Sequence, residues 1–157
     1  MTKLNAQTFI NAWEKFSQSF IFDNPDWLNL YQNNLEWSVR FLGGKKSCTE
    51  SSPIGKFFAI EFPGLRYRSE DGSFDLSFSF AKNYTGVGGF YPTMYDVIIE
   101  VENNCRCAWQ EMAKLTWVRS PLKVLITYNF HPNDKQIWAM ETEMLVNTFS
   151  NIIGQSN

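Results

Sequence analysis

Three carboxylates offer the clearest chemistry in this sequence: Asp75 in Ser73-Phe-Asp-Leu-Ser-Phe-Ser-Phe80, and Glu100 and Glu102 in Tyr95-Asp-Val-Ile-Ile-Glu-Val-Glu102. Both stretches alternate in character. Phe74, Leu76, Phe78 and Phe80 fall on one face of the first, with Asp75, Ser77 and Ser79 on the other. In the second, Tyr95, Val97, Ile99 and Val101 share a face opposite Asp96, Ile98, Glu100 and Glu102. A period of two marks a strand with two chemically different sides. The connection from Asn83 to Thr93 is rich in glycine and contains Pro92, so the pair reads as a hairpin. Folding it about the middle of that loop brings Asp75 opposite Glu100 or Glu102. Opposed Cβ atoms lie about 5 Å apart, and like charges facing one another there are destabilising. A shared divalent cation is the simplest reason for acids to converge.

Other elements must position this hairpin. Phe9, Ile10, Trp13, Phe16 and Phe20 recur at helical steps and predict an amphipathic helix over residues 6–20. Asp23-Asn24-Pro25 is a cap and first-turn proline for a second helix carrying Trp27, Leu28, Tyr31, Leu35 and Trp37, which stops at Gly43-Gly44. Residues 45–56 read as a polar, mobile connection. Phe57 to Arg68 is rich in β-formers and interrupted by Pro63-Gly64, which predicts one bent edge strand or two short ones. Beyond the hairpin, Ala108, Met112 and Leu115 mark a short helix that ends before Pro121. Leu122 to Asn129 is nearly continuous in apolar character, as in a central strand covered on both sides. Ile137, Met144, Leu145 and Ile152 predict a last helix. The expected class is α/β: a mixed sheet made of a three-strand meander and a strand–helix–strand unit, with helices on its faces.

The 157 residues suit a single domain, 1–157, with a sizeable core, and 44% hydrophobic and 17% aromatic content supports a folded chain. A net charge of −2 gives no global basic signature for nucleic acid, although a local patch can do that work. Cys48, Cys105 and Cys107 are odd in number and form no disulfide framework by spacing, and His131 has no partner at zinc-ligand spacing. Thiols of this kind suit a reducing cytoplasm. The first residues lack a secretory pattern, and no apolar run approaches the roughly 18 residues of a membrane span.

The α-β-β-β-α-β order, with an acid on the second strand and E-x-E on the third, resembles the PD-(D/E)XK nuclease superfamily, the restriction-endonuclease-like fold. The resemblance covers roughly residues 26–130, between an extra N-terminal helix and a C-terminal helix. It implies Asp75 as the motif aspartate and Glu100 as the acid of the (D/E)-x-K segment. Glu102 stands where lysine is usual, and Phe74 replaces the proline before the aspartate. In some members the lysine moves to the following helix, which makes Lys114 the candidate here; Glu36 lies where an additional acid sometimes occurs. The implied activity is Mg²⁺- or Mn²⁺-dependent hydrolysis of nucleic acid, DNA in the first instance, by a homodimer if both strands are cut. The alternative is a catalytically silent relative acting as a binding or scaffolding module.

Each residue also has a plainer role. Asp75 and Glu100 can be solvated residues on a hairpin's outer face, Glu102 an acid at a strand end, and Glu36 a surface helix charge. Asp96 lies about 13 Å from Glu100 at strand rise, too far to share one ion, and reads as flanking the turn. Lys114 can be a solvated helix charge paired with Glu111. Lys82 is a weaker choice for the positive charge. Asn103-Asn104 suits a strand end and helix cap, and Gly86-Val-Gly-Gly89 a hairpin tip. Lys45, Lys46, Arg66, Arg68, Arg106, Arg119 and Lys123 are candidates for a DNA-facing patch.

Overall fold

The computed structural model describes residues 3–26, 29, 41–42, 52–71, 74–84, 93–102, 108–127, 140 and 142–147. Helix α1 (Ala6–Asp23) begins at a reciprocal cap. The Thr8 N–H donates to Asn5 Oδ1 and the Asn5 N–H to Thr8 Oγ1, each at 3.0 Å, so two donors without helical partners are satisfied. Its buried stripe is Phe9, Ala12, Phe16 and Phe20, close to the expected one. The body of the second expected helix lies outside the described residues, as do Glu36, Lys45, Lys46, Arg106, Asn103-Asn104, the Gly86–Gly89 tip, His131 and the three cysteines. Phe41 and Leu42, near the end of that stretch, are helical and buried.

The first correction concerns residues 53–61, which form helix α2 (Pro53–Glu61), not a strand or a loop. Ser52 caps it by accepting from the Gly55 N–H at 3.1 Å, and Pro53 takes a first-turn position where its missing N–H costs nothing. Ile54, Phe58 and Phe62 follow at four-residue steps and are all buried. That stripe overrides the local β-propensity of the phenylalanines, which is a weak, context-dependent preference. Gly55 is required by packing, because a Cβ there would run into the Tyr67 ring. Gly64, at φ +89°, turns the chain into β1.

Strand β1 (Leu65–Asp71) pairs antiparallel with β2 (Phe74–Phe80), with Leu65 opposite Phe80 and Tyr67 opposite Phe78. A short 3₁₀ turn, Ala81–Asn83, follows. The Thr93 N–H then donates to Asn83 O at 2.8 Å and the Asp96 N–H to Phe78 O at 2.9 Å. These partners step in opposite directions, so the chain returns antiparallel as it enters β3 (Val97–Glu102). Helix α3 (Ala108–Thr116) leads to β4 (Leu122–Thr127), parallel to β3. The sheet order is β1-β2-β3-β4, and the class is the expected α/β mixed sheet with helices.

Two further expectations are corrected. Strand β4 ends the sheet order and is not central; of its residues only Ile126 is buried, and Lys123 is exposed. The central places belong to β2 and β3. Their runs Leu76 to Ser79 and Val97 to Glu100 are buried without a break, so both faces of each are covered. The serines on the Asp75 side of β2 are therefore interior, and the hairpin has no simple water-facing side.

The chain groups into two compact units, Met1–Ile98 with Ser120–Leu122, and Ile99–Arg119 with Lys123–Asn157. In the first, rings from helix and sheet interlock: Phe58 lies 4.6 Å from Phe9 and 5.7 Å from Phe78 between centroids. In the second, Ala108 and Leu145 are buried together with Leu125 against them, and residues 142–147 are helical. Among the described residues no helix is long and apolar enough to cross a membrane.

Candidate active site around Glu100

Glu100 is the most unusual acid described, with only 1% of its surface exposed. Its position follows from β3: alternation places it on the side of Ile98 and Glu102, directly after the apolar run Val97-Ile98-Ile99. A carboxylate removed from water needs a compensating charge or hydrogen bonds. Helix α3 provides one. Lys114 Nζ lies 2.7 Å from Glu100 Oε1 and 2.6 Å from Glu111 Oε2. Ala108 and Leu115 are the buried residues of α3, and helical spacing sets Glu111 and Lys114 on the flank of that stripe.

Lys114 retains about a third of its exposure, 33%. Burial works against its charge, but the Glu100 and Glu111 carboxylates beside it outweigh that effect. Its pKa is therefore raised above the ordinary lysine value of 10.5.

Of the residues singled out in the sequence, the structure brings Glu100 and Lys114 together. Glu102 is half-buried on the same side of β3 as Glu100, while alternation turns the Val101 side chain to the other side. Asp75 is half-buried on β2, in the first unit, beside the buried Ser77 along its face. Asp96 has the turn-flanking position expected of it. Its Oδ2 accepts from the Phe80 N–H at 2.8 Å and from Asn83 Nδ2 at 2.7 Å, tying the hairpin where the strands part. Arg66 lies over the Tyr84 ring, 5.4 Å from its centroid. Glu111 is the member of the cluster that sequence reasoning treated only as a helix neighbour. Its three-residue spacing from Lys114 was the available signal.

Among the described residues, no three His, Cys, Asp or Glu side chains gather so as to hold a metal ion. Mg²⁺ asks for less than such a cage. It commonly takes one or two carboxylates and keeps several waters. Glu100 is a carboxylate of the donor type that Mg²⁺ takes, and Lys114 contacts its Oε1. Compared with family models, curated proteins and solved structures, the chain finds no match in any of the three.

Proposed function

We propose that the protein is a metal-dependent nuclease of the PD-(D/E)XK type, hydrolysing phosphodiester bonds of nucleic acid, DNA in the first instance. The observation that carries this reading is the contact of Lys114 with Glu100, 2.7 Å apart. In some members of the superfamily that the chain resembles the lysine moves to the helix after the third strand, and Lys114 stands on that helix here. The order α2-β1-β2-β3-α3-β4 gives further support.

In this reading Glu100 would offer carboxylate oxygen to Mg²⁺ or Mn²⁺, and the resemblance implies the Val101 carbonyl as a further ligand and names Asp75 as its motif aspartate. The bound ion would contribute Lewis-acid polarisation of the phosphate and a more acidic water. Lys114 offsets phosphate charge and orients the attacking water through its ammonium hydrogens. Glu102 takes the water proton on its carboxylate, the role left by the lysine absent from that position. The setting is cytoplasmic, and cutting both strands calls for a homodimer.

A second reading, a catalytically silent binding or scaffolding module, is favoured by one observation. Lys114 is already engaged by two carboxylates, so the ion group can serve the fold alone.

The test is cleavage of single- and double-stranded DNA and of RNA with Mg²⁺ or Mn²⁺, alongside calorimetric metal binding. The wild type should cleave. Glu100→Gln should lose both metal binding and cleavage, and Lys114→Met should lose cleavage while keeping metal binding. Asp75→Asn weakens metal binding if that residue is a ligand. Glu102→Lys lowers cleavage steeply if Glu102 accepts the proton. Wild-type protein inert on every substrate, with no metal binding, decides for the silent module.

A further inference from the structure

We propose that the first unit binds a small amphipathic anion, an apolar body carrying one carboxylate, sulfonate or phosphate head, in the cavity at the start of α1. The cavity measures about 670 Å³, within the range of about 300–1,000 Å³ typical of small-molecule sites. Phe62, Pro63, Phe80 and Leu122 give it apolar walls, while Lys3 and Lys82 stand at its polar side. Neither lysine has an ion pair with a carboxylate among the described residues. Lys82 Nζ lies 6.0 Å from the centroid of the Phe80 ring, so its charge stands next to the apolar wall.

Asp96 also lines the cavity and opposes an anion there. Its charge is partly spent inside the hairpin, because Oδ2 receives both the Phe80 N–H and the Asn83 amide. Two lysines against one carboxylate leave the lining positive. The N-terminal end of α1 adds partial positive charge, since Asn5 and Ala6 belong to the lining. Apolar walls without the lysines would suit a neutral ligand, and lysines without the walls would suit an inorganic ion. Their combination selects a molecule that has both parts. This inference draws on neither Glu100 nor Lys114.

The experiment is a fluorescence titration of folded protein with 1-anilinonaphthalene-8-sulfonate, with N-phenyl-1-naphthylamine as the uncharged counterpart. Thermal unfolding of each variant verifies that it is folded. Wild type should bind the sulfonate saturably and more tightly than the amine. Lys82→Met, which keeps the apolar stem, should weaken the sulfonate about fivefold, the scale of one solvent-screened contact charge, and leave the amine unchanged. Leu122→Trp, which fills the cavity, should abolish both signals. Lys15→Met, at a residue outside the lining, should change neither. Absence of saturable sulfonate binding to wild type overturns the proposal, as does equal sulfonate affinity in wild type and Lys82→Met. If Leu122→Trp does not fold, the Lys82→Met comparison between charged and uncharged probes decides.

Discussion

Asp96 and Glu100 are four residues apart in the chain, yet the protein treats their charges in opposite ways. Asp96 sits just before β3 and accepts from neutral donors, a backbone N–H and an asparagine amide. Its negative charge is useful mainly as a strong acceptor that fastens the hairpin. Glu100 lies inside β3, almost wholly buried, with a lysine ammonium at 2.7 Å. An acceptor for a turn needs no cation, and a buried carboxylate in a strand of valine and isoleucine does. A fold seeking stability alone gains little from such a pair, since apolar residues of similar volume often serve as well or better. The contrast therefore marks Glu100 as the acid whose presence asks for a chemical reason.

The strongest way to break that contrast is to remove the ammonium. Lys114→Met keeps length and an apolar stem, and it should destabilise the protein by about 3–5 kcal/mol, the usual cost of leaving one member of a buried ion pair behind. Urea unfolding would measure it. Adding Glu100→Gln to Lys114→Met should recover part of the loss, because the carboxylate then left without the ammonium is that of Glu111, which is less buried. A cost below about 1 kcal/mol for Lys114→Met would place this pair with ordinary surface pairs.

The same measurement on Asp96 should give a smaller effect. Asp96→Ala removes the acceptor of two hydrogen bonds, with an expected cost of about 1–3 kcal/mol for the donors left behind. Asp96→Asn retains an acceptor oxygen and should cost less than Asp96→Ala. Were Asp96→Ala as damaging as Lys114→Met, the two acids would belong to one class and the comparison would fail.

How far this was legible from the sequence depends on the range of the interaction. The alternation of β2 and β3, the helical stripe of α1 and the strand–helix–strand order were readable because each is a local period. Asp96 was readable as a turn residue for the same reason. Helix α2 was missed because Phe57, Phe58 and Phe62 invite a strand reading, while the deciding stripe, Ile54-Phe58-Phe62, appears only when four-residue steps are traced from Ser52-Pro53. The edge position of β4 was hidden as well, since an apolar run does not state how many neighbours its strand has. Lys114 was named a candidate through the resemblance and not through spacing, because the thirteen positions between it and Glu100 carry no periodic signal, and its contact with Glu100 was not read. The burial of Glu100 was not legible at all. It depends on elements that close over both faces of β3.

The finest distinction between the two acids is in alkaline solution, where only the Glu100 site has a cation to lose. Lys114 has a folded pKa above the ordinary 10.5, because its two carboxylates outweigh the penalty of its partial burial. The fold thus prefers the protonated lysine more than the unfolded chain does. The stability arising from that preference is fully present below pH 10.5 and disappears as the pH rises through the raised folded value. Between neutral pH and that window this lysine adds no pH dependence, and on the acid side it adds none either. Other lysines and the tyrosines titrate in the same range, so the wild-type curve alone does not isolate the effect. The difference between wild type and Lys114→Met does, because those other groups are common to both. Denaturant midpoints taken from about pH 9 to about pH 12 should fall more steeply for wild type than for Lys114→Met, so that the two curves converge. Asp96→Asn should run parallel to wild type throughout, since no lysine among the described residues is ion-paired with that acid. Parallel curves for wild type and Lys114→Met would mean that the ammonium gains nothing from Glu100 and Glu111. Glu100 would then be held in the sheet by its other contacts, and the cation expected at its side would have to come from solution.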